Sequence, residues 1–155
     1  MASSIEGERA ERRPPMSIFP TKILLATDGS SEAELASRTA AELAQSTGSE
    51  LHLLYVGEAA NPYVEEVGLA GDDRQARTVL DAEAEKVRTV GGTVAQAHLS
   101  MGKAGHEIVA LAEEIETGLI VIGSRGRGGI RRALMGSVSD SVVRHAHCPV
   151  LVVRE

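Results

Sequence analysis

Four of the sixteen basic residues of this chain, Arg125, Arg127, Arg131 and Arg132, fall within eight positions of one another. They lie in a segment that opens with Gly123-Ser124-Arg125-Gly126-Arg127-Gly128-Gly129 and closes with Gly136-Ser137. Glycine permits positive φ and close backbone approach, which a loop needs when its N–H groups converge on an anion. Ser137 begins a stretch with helical spacing, and a helix N-terminus presents unpaired N–H groups and about half a positive charge. Glycines, arginines and a helix start, with the Ser137 hydroxyl at the capping position, describe a phosphate cradle. They equally describe a solvated basic loop with Ser137 as a simple N-cap, and these residues alone leave both readings open. A second turn suited to ligand contact is Thr27-Asp28-Gly29-Ser30, where Asp28 has an alternative use in bonding its own backbone, the commonest role of Asp before Gly.

The elements that must position these turns follow from apolar periodicity. Short apolar runs alternate with longer stretches of helical spacing, the signature of βαβ units and a parallel sheet. Strands are predicted at Lys22 to Ala26, Glu50 to Val56, Thr93 to Leu99, Leu119 to Ile122 and Val150 to Val153. Ser31 with Glu34 reads as a capping box opening a helix whose Ala33, Ala36, Ala40, Leu43 and Ala44 share one face, stopped by Gly48. Further helices are predicted from about Asp72 to Val90, from Gly105 to Thr117 with Gly118 as the stop, and from Ser137 to Ala146. The 57–71 connection, which contains Pro62, shows no clear period, and a connection that long is more often functional or mobile than structural. In open parallel sheets, ligands bind beyond the carboxyl ends of strands where connections diverge, which selects the turns after the first and fourth strands.

Composition bounds what the fold can be used for. The chain has 155 residues, 43% of them hydrophobic, enough for one domain with a core of its own. Residues 1–20, which mix charges with Pro14, Pro15 and Pro20, read as a flexible N-terminal extension, and 21–155 as the domain. The net charge of −6 and the presence of only Phe19, Tyr55 and Tyr63 as aromatics disfavour nucleic-acid binding by a basic face or by base stacking. A lone Cys148 excludes an internal disulfide and a multi-Cys zinc site. No run reaches the roughly 18 apolar residues of a membrane span and the N-terminus lacks a signal-like core, so the reading is soluble and cytoplasmic.

Standard nucleotide motifs do not match. GxxxxGK[ST] is absent, and GxGxxG fails because Arg131 stands where a third Gly belongs. His145-Ala146-His147-Cys148 suggests a metal, but an i, i+2 pair points to different sides of a helix and the segment holds no carboxylate. Polar or cationic residues at a helix C-terminus account for it better. Cys148 reads as a packed thiol. His98 and His106 have no partner visible in the sequence.

The spacing that does match is Gly-x2-Gly-x9-Gly-Ser, formed by Gly123, Gly126, Gly136 and Ser137. With it, and with KILLATDGS, LHLLYV, LIVIGSRGRGG and HCPVLVVR in order, the chain from Thr21 to Arg154 resembles the ATP-binding branch of the universal stress protein family. That resemblance implies an α/β fold, a Rossmann-like (adenine nucleotide alpha hydrolase-like) three-layer sandwich with a five-stranded parallel sheet in the order 3-2-1-4-5. It also implies homodimers paired through the last strand. It places the nucleotide at the Thr27-Asp28 turn, with Asp28 on the ribose, the Val56 backbone on adenine, Gly123 near the ribose, and Gly126, Gly136, Ser137 and the Val138 N–H on the phosphates. The resemblance further implies Mg2+ or Mn2+ with the triphosphate. Val56 also reads as ordinary strand core by its side chain. Arg125, beside the phosphates, reads either as solvated or as a neutralising cation. The function implied is an ATP-binding, stress-response switch. The alternatives are a nucleotide-independent dimeric interaction module, or a slow ATPase or autophosphorylating enzyme, for which no water-activating base stands beside the cradle.

Overall fold

In the computed structural model, residues 17–58, 69–125 and 135–155 are described, without the side chains of 69–72. Residues 1–16 of the N-terminal extension, most of the 57–71 connection, and Gly126, Arg127, Gly128, Gly129, Arg131 and Arg132 lie outside them. Five strands, β1 (Lys22–Thr27), β2 (Glu50–Gly57), β3 (Val94–Met101), β4 (Leu119–Gly123) and β5 (Val150–Val153), alternate with four helices, α1 (Ser31–Thr47), α2 (Leu69–Thr89), α3 (Ala104–Glu114) and α4 (Ser137–His145). All strand pairs are parallel, in the order β3-β2-β1-β4-β5. This is the Rossmann-like α/β arrangement.

The central strands are buried on both faces, which is why they read as continuous apolar runs. Ile23 and Leu25 of β1 face a core with Leu51 and Leu53 of β2, the alanines of α1 and Leu80, Ala84 and Val87 of α2. Leu24 and Ala26 face the other way, into a core with Leu54, Ile120, Ile122, Ile108 of α3 and Val142 of α4. Thus α1 leaves β1 on one side of the sheet and α4 leaves β4 on the other. β1 and β4 are neighbours, so the crevice beyond their carboxyl ends is where the connections diverge. Phe19 packs against the first core, ahead of the boundary predicted at Thr21.

Three local predictions are corrected. The N-cap of α1 is Ser30, not Ser31: Ser30 has extended φ and ψ and its hydroxyl accepts from the Ala33 N–H at 3.2 Å. Adjacent serines are equivalent to a pattern reader, and with the cap one residue earlier Glu34 falls outside a capping box and pairs instead with Arg38 at 3.7 Å. At α4 the N-cap is Gly136, whose carbonyl accepts from the Asp140 N–H, so Ser137 is the first helical residue and its hydroxyl is not at the capping position. α3 ends at Glu114 because Glu116 turns into the left-handed region at φ 57°, which ends the helix before Gly118 is reached. Gly48 does end α1 as predicted, in the left-handed region at φ 69°.

Candidate functional site

The β1 turn is held from two sides. Thr27, the last and buried residue of β1, donates its hydroxyl to Glu83 Oε2 of α2 at 3.0 Å and accepts from the Gly29 N–H at 3.3 Å. Glu83 is itself buried and takes Lys86 Nζ on its other oxygen at 2.9 Å, so this carboxylate is paired. Asp28 Oδ1 accepts from the Ser30 N–H at 2.9 Å, which makes an Asx turn leading into α1. Gly29 has φ 78°, a conformation that the turn asks of glycine.

The β4 turn is fixed by a buried carboxylate that the sequence does not advertise. Glu32, in the first turn of α1, accepts the Ser124 hydroxyl at 2.5 Å and the Arg125 N–H at 2.6 Å on Oε2. Its Oε1 takes Arg125 Nε at 2.9 Å and Nη2 at 2.7 Å. Burial alone would push the Glu32 carboxyl up; the hydrogen bonds from Ser124 and Arg125 and the guanidinium charge outweigh it and hold the group below the ordinary carboxylate range. Ser124 passes the connection on, its carbonyl accepting the Gly136 N–H at 2.5 Å and the Ser139 hydroxyl at 2.6 Å. The start of α4 is thereby tied across the end of β4 to the start of α1.

This geometry sorts the predicted residues. Thr27, Asp28, Gly123, Arg125, Gly136, Ser137 and Val138 gather at the crevice ends of β1, β4 and α4. Ser137 and Val138 are exposed at the opening of α4. Gly123 has a structural reason of its own: a Cβ there would stand 3.1 Å from the Glu32 carbonyl carbon and 3.2 Å from the Ala33 nitrogen, so β4 passes close under α1. Arg125 is not merely solvated, since its guanidinium forks onto Glu32. Val56, near the end of β2, packs its side chain against the second core while its backbone pairs in register with Ser100 of β3. Gly126 lies outside the described residues.

Glu32 and Glu83 carry no sequence signal as site residues, and Ser124 only that of the glycine-rich turn it belongs to, because the Glu32 contacts span 92 and 93 residues and the Thr27–Glu83 contact 56. His98 also has partners across the sheet: its Nε2 lies 3.0 Å from His52 Nδ1, and His52 Nε2 lies 3.1 Å from Glu50 Oε2. Burial and the neighbouring His52 lower the pKa of His98, against a smaller raising effect of Glu114. At the other end of the chain, His145 Nδ1 meets the Ser141 carbonyl oxygen at 2.8 Å, His147 pairs with Glu113 of α3 at 2.5 Å, and Cys148 is partly buried against the second core.

Comparison with known proteins gives the frame for this crevice. A sequence profile of the universal stress protein family matches residues 20–154. The universal stress protein MJ0531 of Methanocaldococcus jannaschii is 34% identical over 143 residues, covering 86% of this chain and 82% of its own. A solved structure of the protein MJ0577 superposes with a TM-score of 0.76 at 28% identity, over 90% of this chain and 98% of that one. A universal stress protein from Archaeoglobus fulgidus, solved in complex with dAMP, superposes with a TM-score of 0.65 at 25% identity, over 88% and 99% of the two chains. By profile, by sequence and by fold, the chain belongs to the universal stress protein family.

Proposed function

We propose that this chain binds an adenine nucleotide, ATP with Mg2+ or Mn2+, in the crevice between β1 and β4, and that occupancy makes it a regulatory switch of the stress response. The observation that carries the reading is the opening of α4. It starts at a glycine N-cap with exposed Ser137 and Val138, at the divergence point of the sheet, and a helix start of that kind suits a phosphate group. The dAMP complex of the Archaeoglobus relative supports an adenine nucleotide as the ligand class. In this reading Asp28 holds the ribose, the Val56 backbone meets adenine, Gly123 lines the ribose side, and Gly126, Gly136, Ser137 and the Val138 N–H hold phosphates whose own oxygens carry the cation. Homodimers form through β5, whose Val150, Leu151 and Val152 are only partly buried at the sheet edge. No helix of the described residues is long and apolar enough to cross a membrane, and the negative net charge disfavours nucleic acid, in keeping with a cytoplasmic protein that answers to a nucleotide.

Two substitutions of one residue test the ribose assignment. Asp28→Asn keeps an oxygen for the Ser30 N–H and so keeps the turn, while removing the charge; Asp28→Ala removes both. Losing a hydrogen bond to a charged group costs about 1.5 to 3 kcal/mol, so both variants are expected to bind ATP roughly tenfold or more weakly by calorimetric titration. Asp28→Ala, which loses the Ser30 N–H bond as well, is expected to melt earlier than Asp28→Asn. Wild-type affinity in Asp28→Asn reassigns Asp28 to turn structure.

A further inference from the structure

We infer that Glu32 is the positioning residue for the N-terminus of α4, acting through Arg125 and Ser124, and that Arg125 serves this bracket and not the phosphates. Its use in ligand binding rests on the nucleotide reading above; the bracket itself does not. The Glu32 side chain is only 5% exposed. A carboxylate removed from water to that extent persists only when its lone pairs are filled, and here four donors fill them: the Ser124 hydroxyl, the Arg125 N–H, Nε and Nη2. The guanidinium meets one carboxylate oxygen through two of its nitrogens, and that fork fixes its plane as well as its distance. The backbone N–H of the same residue is bound to the other oxygen, so the chain direction at the end of β4 is fixed too.

Ser124 converts this into a position for α4. It is 1% exposed, its hydroxyl is spent on Glu32, and its carbonyl oxygen receives both the Gly136 N–H and the Ser139 hydroxyl. One hydrogen-bonded path therefore runs from the first turn of α1, through the end of β4, to the first turn of α4 on the opposite face of the sheet. The turn carrying Asp28 leads directly into α1. The bracket thus sets the separation of the two halves of the crevice. It also turns Arg125 Nε and Nη2 onto Glu32 and balances the guanidinium charge with that carboxylate, so in this proposal the arginine is not what tells a triphosphate from a monophosphate.

The test uses the full-length chain and the variants Glu32→Gln and Arg125→Gln, singly and together, in two measurements. The first needs no nucleotide. Amide hydrogen exchange in 137–145 is expected to quicken about tenfold in both single variants, with 22–27 in β1 unchanged; unchanged exchange at α4 in folded Glu32→Gln overturns the positioning role. Should Glu32→Gln not fold, Arg125→Lys, which keeps the charge and loses the fork, is expected to show the same local quickening, and its absence is equally decisive. The second titrates AMP and ATP. Each single variant is expected to lose the same factor for both nucleotides, and the double variant no more than either single one. A loss in Arg125→Gln that is larger for ATP than for AMP, and that adds to that of Glu32→Gln, overturns the assignment and returns Arg125 to the phosphates. A wild-type chain that binds neither nucleotide, with the exchange result as expected, sinks the nucleotide reading and leaves the bracket standing.

Discussion

Gly136→Asp is expected to raise the melting temperature slightly and to abolish nucleotide binding. Gly136 is the N-cap of α4 with φ −77° and ψ 168°, ordinary extended backbone that aspartate adopts without strain. The N-cap makes no side-chain hydrogen bond because it has no side chain. An aspartate there accepts from the first-turn N–H groups and favours the positive end of the helix, a gain over glycine of a few tenths of a kcal/mol. The Gly136 N–H bond to the Ser124 carbonyl oxygen belongs to the backbone and survives. The same carboxylate consumes the donors that a phosphate needs and sets a negative charge against it. A loss of at least about 100-fold in ATP affinity is expected, which corresponds to roughly 2.7 kcal/mol. The opposite signs matter, because a variant that merely misfolds loses both stability and binding. Calorimetric titration beside thermal melting reads the two together, and wild-type affinity in a stable Gly136→Asp moves the phosphates away from α4.

Leu53→Ala tests the scaffold. Leu53 is fully buried in β2, which pairs with β1 on one side and β3 on the other, and its side chain sits in the core shared with α1 and α2. Leu→Ala at such a site costs about 2 to 5 kcal/mol, from lost transfer energy and the cavity left behind. Domains of this kind are stable by only about 5 to 15 kcal/mol, so denaturant unfolding should show a large fall in midpoint with little change in slope. A loss under about 1 kcal/mol contradicts the packed core described above.

How far the sequence reaches depends on the distance over which each feature is decided. The strands were legible because β1, β2 and β4 are buried on both faces, which writes them as unbroken apolar runs. The α1 face was legible because Ala33, Ala36, Ala40 and Ala44 recur at the helical period, and all four are buried. Helix ends were less so. Ser30 and Ser31 are equally good caps by type, and the left-handed turn at Glu116 has no glycine to mark it. The pairing of His98 with His52 follows only once β2 and β3 are known to be neighbours. Least legible was Glu32, which by sequence is one of two acids, with Glu34, in the first turn of α1. Only the fold brings it under Ser124 and Arg125 and makes a bracket of it. The pairing of Arg125 with Glu32 is equally invisible in the sequence, which leaves the arginine as either solvated or a neutralising cation.

Nucleotide occupancy of the crevice is read from protein freshly purified without added nucleotide. The protein is denatured, any released small molecule is identified by chromatography and mass spectrometry, and stripped protein is then titrated with ATP and Mg2+. A released adenine nucleotide, or saturable ATP binding at one site per chain, is expected. No released nucleotide and no saturable binding would contradict nucleotide occupancy, and would make the dimeric interaction module the better description of this chain.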